Sequence, residues 1–253
     1  MLMPPLGWAL AGGGLGAVAG SYLSTIALRW PQGRAARGRS TCDGCGRTLS
    51  PLELVPLLSW ALAQGRCRAC GGRIDPRHPG IEAACAVAGA AALALAPGPA
   101  GLAGALFGWL LIVLAVLDLD HFWLPDRLTA VLAGVGLAGG LAGLPPPLAD
   151  RLIGGAAGFV ALWAIAAAYR AARGREGLGR GDAKLLGAIG LWLGWRALPP
   201  VLLGASLCGL VAALALWLAG RPIGPATRLP LGTLMAAAAF AWWLAAAAGV
   251  APS

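Results

Sequence analysis

The sequence predicts an all-α polytopic membrane protein of about eight transmembrane helices, and three observations carry that prediction. Hydrophobic residues make up 58% of the 253 residues and charged residues only 11%, where a soluble domain carries about 25% charged residues. The apolar residues form continuous runs instead of alternating ten-residue segments, which favours a helical bundle over a β-barrel. The arginines gather in alternate loops between those runs, as the positive-inside rule requires of a multi-pass chain. Mean hydropathy is +0.76, and the 40 glycines suit helices that pack closely in lipid.

The first run is Leu6 to Leu28, closed by Arg29. Gly12, Gly16 and Gly20 recur every fourth residue, leaving bare patches along one helix face for a neighbour. No strand precedes the cluster Gly12-Gly13-Gly14, so it reads as packing surface and not as a nucleotide loop. The start of the chain lacks a basic stretch and a separate cleavage site, so this run is expected to be a span and not a removed signal.

Residues 30–78 form the one sizeable polar segment. Arg29, Arg34, Arg37, Arg39, Arg47, Arg66, Arg68, Arg73 and Arg77 face only Asp43, Glu53 and Asp75 there, which places the loop in the cytoplasm and the N-terminus outside. Its inner apolar stretch, Leu54 to Leu62, is too short to span and is expected against the bundle or the membrane surface. The following runs then alternate: Gly80 to Ala96 outward, Gly101 to Leu117 inward, Leu128 to Gly143 outward and Leu152 to Tyr169 inward. Leu185 to Trp195 goes outward, Val201 to Ala219 inward and Leu231 to Val250 outward. Pro97-Gly98-Pro99, Pro145-Pro146-Pro147 and Pro199-Pro200 mark outer turns. Arg170, Arg173, Arg175, Arg221 and Arg228 fall inside, and only Arg151 and Arg196 are left in outer turns. The net charge of +9 comes almost wholly from arginine, since Lys184 is the only lysine. Carried in these loops it sets topology, and nucleic acid is not an expected partner.

Cys42, Cys45, Cys67 and Cys70 form two C-x-x-C pairs separated by residues 46–66. Thiolates at this spacing close a tetrahedral zinc site with all four positions filled, so the metal would be structural. Stable disulfides fit a reducing cytoplasmic loop less well. Cys85 and Cys208 lie within apolar runs and read as buried packing residues.

Two aspartates stand where apolar runs meet polar segments. Asp118 ends the run before Leu119-Asp120-His121-Phe122-Trp123-Leu124-Pro125-Asp126, and Asp182 opens the run after Gly179-Arg180-Gly181. Carboxylates at the mouths of membrane helices are costly and mark function. The alternating topology puts both on the cytoplasmic side, where a pair sharing one proton can act as acid and base together. Asp120, His121 and Asp126 invite a metal-site reading with Asp118. Asp126, after Pro125, fits the start of a new helix as a cap, and His78 reads as a surface or interface residue. Gly179 and Gly181, without side chains, would let a peptide backbone approach Asp182. A transporter relaying protons or a cation through the same aspartates is the alternative, although no half-to-half repeat supports it.

The chain also resembles the type IV prepilin leader peptidases, which are integral-membrane aspartic proteases. The resemblance runs through Gly20-Ser21-Tyr22 with Arg29-x-Pro31, the four cysteines, Val55-Pro56-Leu57-Leu58-Ser59-Trp60 and Gly65-Arg66-Cys67-Arg68-x-Cys70. It continues through Asp118-x-Asp120 with Leu124-Pro125-Asp126, Gly179-x-Gly181-Asp182-x-Lys184-Leu185-Leu186 and Pro230-Leu231-Gly232. It implies that Asp118 and Asp182 are catalytic, with Gly179, Gly181, Asp120 and Lys184 in support. It further implies removal of the basic leader from prepilins or type II secretion pseudopilins at the cytoplasmic face of a bacterial inner membrane. Many members also methylate the new N-terminus with S-adenosylmethionine. On this reading residues 1–96, with the cysteine loop at about 30–78, form the methyl-transfer region, and residues 97–253 form a six-span peptidase core. Pro51-Leu52-Glu53-Leu54 and Ser21-Tyr22-Leu23-Ser24 depart from the family's usual sequence in the part associated with methylation. Glu53 and Glu82 are candidate carboxylates on the methyl-donor side.

Overall fold

A computed structural model describes residues 4–34, 38–174, 177–221 and 229–251. Arg37, Arg175 and Arg228, counted above toward the topology, lie outside the described residues. Nine α-helices are present among those described: α1 (Pro5–Arg29), α2 (Leu58–Leu62), α3 (Arg77–Leu95), α4 (Pro99–His121), α5 (Asp126–Leu141), α6 (Leu148–Arg173), α7 (Arg180–Leu193), α8 (Leu198–Leu218) and α9 (Leu231–Ala247). Every expected span coincides with a helix, and α2 is the extra short one. α1, α3, α4, α6 and α8 are long and apolar enough to cross a membrane by themselves. α5, α7 and α9, at 16, 14 and 17 residues, fall short of the roughly 20 residues a full crossing needs.

The chain divides into two compact units, Met1–Val113 and Leu114–Ser253. In the first, α1 packs along α3 on its glycines. A methyl group at Gly12 would run into the Gly89 carbonyl, and one at Gly16 into the Cys85 carbonyl. A methyl at Gly20 would lie 2.7 Å from Glu82 Cα. The four-residue spacing is thus a contact stripe, as the sequence suggested. The Trp109 indole on α4 donates to the Cys85 carbonyl at 2.9 Å. Cys85 is buried. His78, expected at a surface or interface, has its Nδ1 2.7 Å from the hydroxyl of buried Ser24, so it joins α3 to α1.

In the second unit α7 is the hub. It packs on α5, α6, α8 and α9, and ten of its 14 residues are buried. A helix enclosed by others can be short without exposing its ends to lipid. Glycine again sets the approach: a methyl at Gly154 of α6 would be 2.6 Å from the Gly190 carbonyl, and one at Gly158 would be 2.7 Å from the Leu186 carbonyl. Arg151, expected in an outer turn, lies in the first turn of α6 and is buried. Its guanidinium donates to the carbonyls of Gly136, Leu144, Pro145, Pro146 and Leu191. Ending chains leave carbonyls unpaired, and five of them together solvate one cation. Cys208 is a correction: it is exposed on α8 and not buried. An apolar run cannot reveal which side of a span faces lipid, because both sides are apolar.

Candidate functional site: two helix-anchored carboxylates and a four-cysteine loop

Asp118 lies one turn before the end of α4, and its side chain points inward: Asp118 is 5% exposed and Asp182 9% exposed. Leu119 and Asp120, on the next positions of the helix, are exposed. The helix stops at His121, and Phe122 takes a left-handed φ of 50° with its N–H bonded back to the Asp118 carbonyl at 2.9 Å.

The partner that holds Asp118 comes from 115 residues away. The first turn of a helix has N–H groups without intrahelical acceptors, and α9 presents one of them. Thr233 N–H donates to Asp118 Oδ2 at 2.8 Å. The Thr233 hydroxyl lies 2.8 Å from the Ala115 carbonyl and 3.3 Å from the same Asp118 oxygen. Asp182 uses the same device within its own helix. Its Oδ2 accepts the Gly179 N–H at 3.1 Å, leaving its other oxygen without a donor among the described residues. Asp182 thus lies in the first turn of α7 and Asp118, from the last turn of α4, accepts from the first turn of α9, and helix N-termini favour negative charge.

Leu124 connects the two. A methyl at Gly181, next to Asp182, would be 2.9 Å from Leu124 Cβ. A methyl at Gly232 would be 2.9 Å from Leu124 Cδ1 and 3.0 Å from Asp118 Oδ2. The two acids that the sequence pairs thus stand beside positions that pack on one residue, Leu124. Thr233 and Leu124 were not singled out from the sequence. The available signal was Pro230 before an apolar run, which marks a helix start whose free N–H groups seek an anion.

The supporting residues divide. Lys184 donates to Asp126 Oδ1 at 2.6 Å, so the segment after each acid is tied to the other. Asp126 is accordingly not the expected cap: Pro125 holds the cap position of α5 and no side chain bonds there. Gly179 has an ordinary extended backbone (φ −67°, ψ 141°). What glycine provides there is room, since a methyl would lie 2.9 Å from Asp182 Oδ2. Asp120 and His121 are exposed, and among the described residues only the cysteines form a metal-ligating group.

That group is built from two copies of one turn. Cys42 N–H bonds the Arg47 carbonyl and Gly46 N–H the Cys42 carbonyl; Cys67 bonds Gly72 and Gly71 bonds Cys67 in the same way. Each turn is closed by a single antiparallel bridge, Thr41 with Thr48 and Arg66 with Arg73. Gly46 (φ 71°) and Gly71 (φ 69°) supply the left-handed residue in each. The four Sγ atoms lie within 4.8 Å of one another, and Cys42 and Cys70 are 3.9 Å apart. A tetrahedral zinc–thiolate site has edges of about 3.8 Å, so the cluster fits a metal ion. The N–H groups of Cys70 and Ala69 hold the Cys67 thiol down at about 6, which favours the thiolate a metal needs. Glu53 is taken up by this loop: Arg47 and the Ser50 amide and hydroxyl bind it, leaving Glu82 as the other candidate on the methyl-donor side.

A multi-pass helical membrane protein with two buried carboxylates at helix ends and a separate four-cysteine loop is the class these features define. Comparison narrows it. The Type IV leader peptidase family matches residues 105–214, and the bacterial N-terminal domain of the same peptidase family matches residues 15–96. The chain is 45% identical over 174 residues to a prepilin leader peptidase/N-methyltransferase of Aeromonas salmonicida, covering 68% of this chain and 60% of that protein. It is 41% identical to the like-named protein of Dickeya chrysanthemi, covering 79% of this chain and 69% of the relative. With that of Pectobacterium carotovorum it shares 35% identity over 83% of this chain and 84% of the relative. No solved structure matches. The chain belongs to the type IV leader peptidase family, and the transporter alternative finds no support. Against the Aeromonas relative the match spans about 60% of that protein's length.

Proposed function

We propose that this chain is a membrane aspartic endopeptidase that removes the leader from type IV prepilins or type II secretion pseudopilins at the cytoplasmic face of the inner membrane. The observation that carries the reading is the pair of buried carboxylates, each anchored by a helix-terminal N–H and meeting across Leu124. One carboxylate, ionised, takes a proton from water. The other, protonated, donates to the scissile carbonyl and then helps protonate the leaving amine. Residues 97–253 form the peptidase core. Gly179, Gly181 and Lys184 keep the Asp182 segment in place, and Asp120 lies at the exposed end of α4.

Residues 1–96 are the methyl-transfer region, with a structural zinc ion held by Cys42, Cys45, Cys67 and Cys70. S-adenosylmethionine, when bound, supplies an electrophilic methyl group for the new N-terminal amine. A buried carboxylate on α3, Glu82, suits a cationic donor. The relatives' double name and the match to both family segments support the two activities in one chain.

Mass spectrometry of a co-expressed prepilin tests both at once. The expected product lacks the basic leader and has gained the mass of one methyl group. An unshortened prepilin in the presence of inserted protein would refute the peptidase reading.

A further inference from the structure

Three acidic side chains are buried among the described residues, and the proposed cleavage uses two of them. The third is Glu82, 8% exposed, on α3 where α1 packs at Gly20. Its Oε2 accepts the Leu57 N–H at 2.8 Å. Leu57 is held at φ 62°, ψ −50°, the centre of a three-residue turn in which Leu58 N–H returns to the Pro56 carbonyl at 2.6 Å. That conformation is rare and strained for a residue with a side chain, and strain of this kind gathers at ligand sites.

Glu82 Oε1 has no donor among the described residues. A carboxylate on a largely buried side chain calls for a cationic partner. Three cationic groups of this unit have partners of their own: Arg29 with the Thr41 carbonyl and Asp43, Arg47 with Glu53, and His78 Nδ1 with Ser24. On α2, which starts from the same turn, the Trp60 indole N–H is also buried without a partner. The site thus has a largely buried carboxylate with one oxygen not taken up by a donor, and, close by in sequence, an aromatic ring whose buried N–H has no partner. An ammonium brings three N–H donors and needs several acceptors. A sulfonium brings charge and no donors, so a single carboxylate oxygen and an aromatic face suit it better.

We propose that Glu82 is the anionic subsite for the sulfonium centre of a methyl donor of the S-adenosylmethionine class. The inference rests on the methyl-transfer reading above and adds the residue that would recognise the donor's charge. Glu82→Gln is the informative variant, because the amide oxygen still accepts from Leu57 while the charge is gone. Calorimetric titration of the full chain in detergent with S-adenosylmethionine and with its neutral thioether product, S-adenosylhomocysteine, reads that charge directly. The wild type is expected to prefer the sulfonium. Glu82→Gln is expected to lose about tenfold or more in affinity for it, with thioether affinity unchanged and leader cleavage intact. Equal wild-type affinity for the two ligands overturns the proposal even if the variant does not fold. So does a parallel loss of both ligands, which would mean the turn has collapsed, or no loss of either. Wild-type protein that binds neither ligand removes the methyl-transfer reading and this subsite together, whereas normal binding with an indifferent Glu82→Gln removes the subsite alone.

Discussion

The cysteine loop and the aspartate site show two ways of fixing reactive groups at a membrane edge. In the loop, each pair of thiols is positioned by hydrogen bonds no more than nine residues apart in sequence, and the same turn is used twice, 25 positions apart (Cys42 to Cys67, Cys45 to Cys70). In the aspartate site, Asp118 depends on an amide 115 residues away, and Leu124 meets glycines from two other helices. The loop gathers four thiols that could hold a metal ion, whereas the aspartates need the rest of their unit to be packed. Disturbing a cysteine should therefore act locally, and disturbing a helix contact should be felt at the acids.

The strongest way to sharpen that contrast is at the acids themselves. Asp118→Asn or Asp182→Asn should reduce leader cleavage about 10³-fold or more in a purified assay, with the protein still inserted. Retained cleavage would remove that residue from the site. Next, Cys42→Ser or Cys67→Ser should abolish bound metal, measured by elemental mass spectrometry, and open the loop at residues 38–76 to proteolysis. Loss of metal without new proteolytic sites would show that the turns stand by themselves.

Gly232→Ala tests packing. Its methyl would press on Leu124 and on Asp118 Oδ2, and a fall in cleavage of about 10- to 100-fold is expected, since small displacements of catalytic groups are costly. Unchanged turnover would mean the site adjusts freely. Smaller still is the Lys184–Asp126 pair, whose side chains are 43% and 73% exposed. A double-mutant cycle should give a coupling below about 1 kcal/mol.

Acidity separates the regions last. Arg47 and the Ser50 amide and hydroxyl hold the Glu53 carboxyl at about 2, below the ordinary value of about 4.3. A lowered carboxyl supports the folded loop above the ordinary value and loses that support as pH falls toward 2. Wild-type metal retention should therefore fall off at lower pH than that of Glu53→Gln; identical acid limbs would show that the pair contributes nothing.

Much of this was legible from residues that lie side by side. The spacing of Gly12, Gly16 and Gly20 foretold the α1–α3 contact, the paired cysteines foretold their cluster, and both aspartates announced themselves by charge in an apolar setting. What stayed hidden depended on partners far away in sequence. Thr233 acts through its backbone amide, which no side-chain pattern records. Leu124 looks like any apolar residue until two glycines are found against it. Arg151 reads as a loop cation because five carbonyls converge on it only after α5, α6 and α7 have packed. Cys208 shows the opposite limit, since lipid and protein interior select the same kind of residue.

The anchor of Asp118 by a main-chain amide has a genetic consequence. Every amino acid but proline carries that N–H, so position 233 can change its side chain widely while the hold on the acid persists. A scan by alanine would remove only the hydroxyl contacts to Ala115 and Asp118, and a substitution to proline is needed to remove the amide's part.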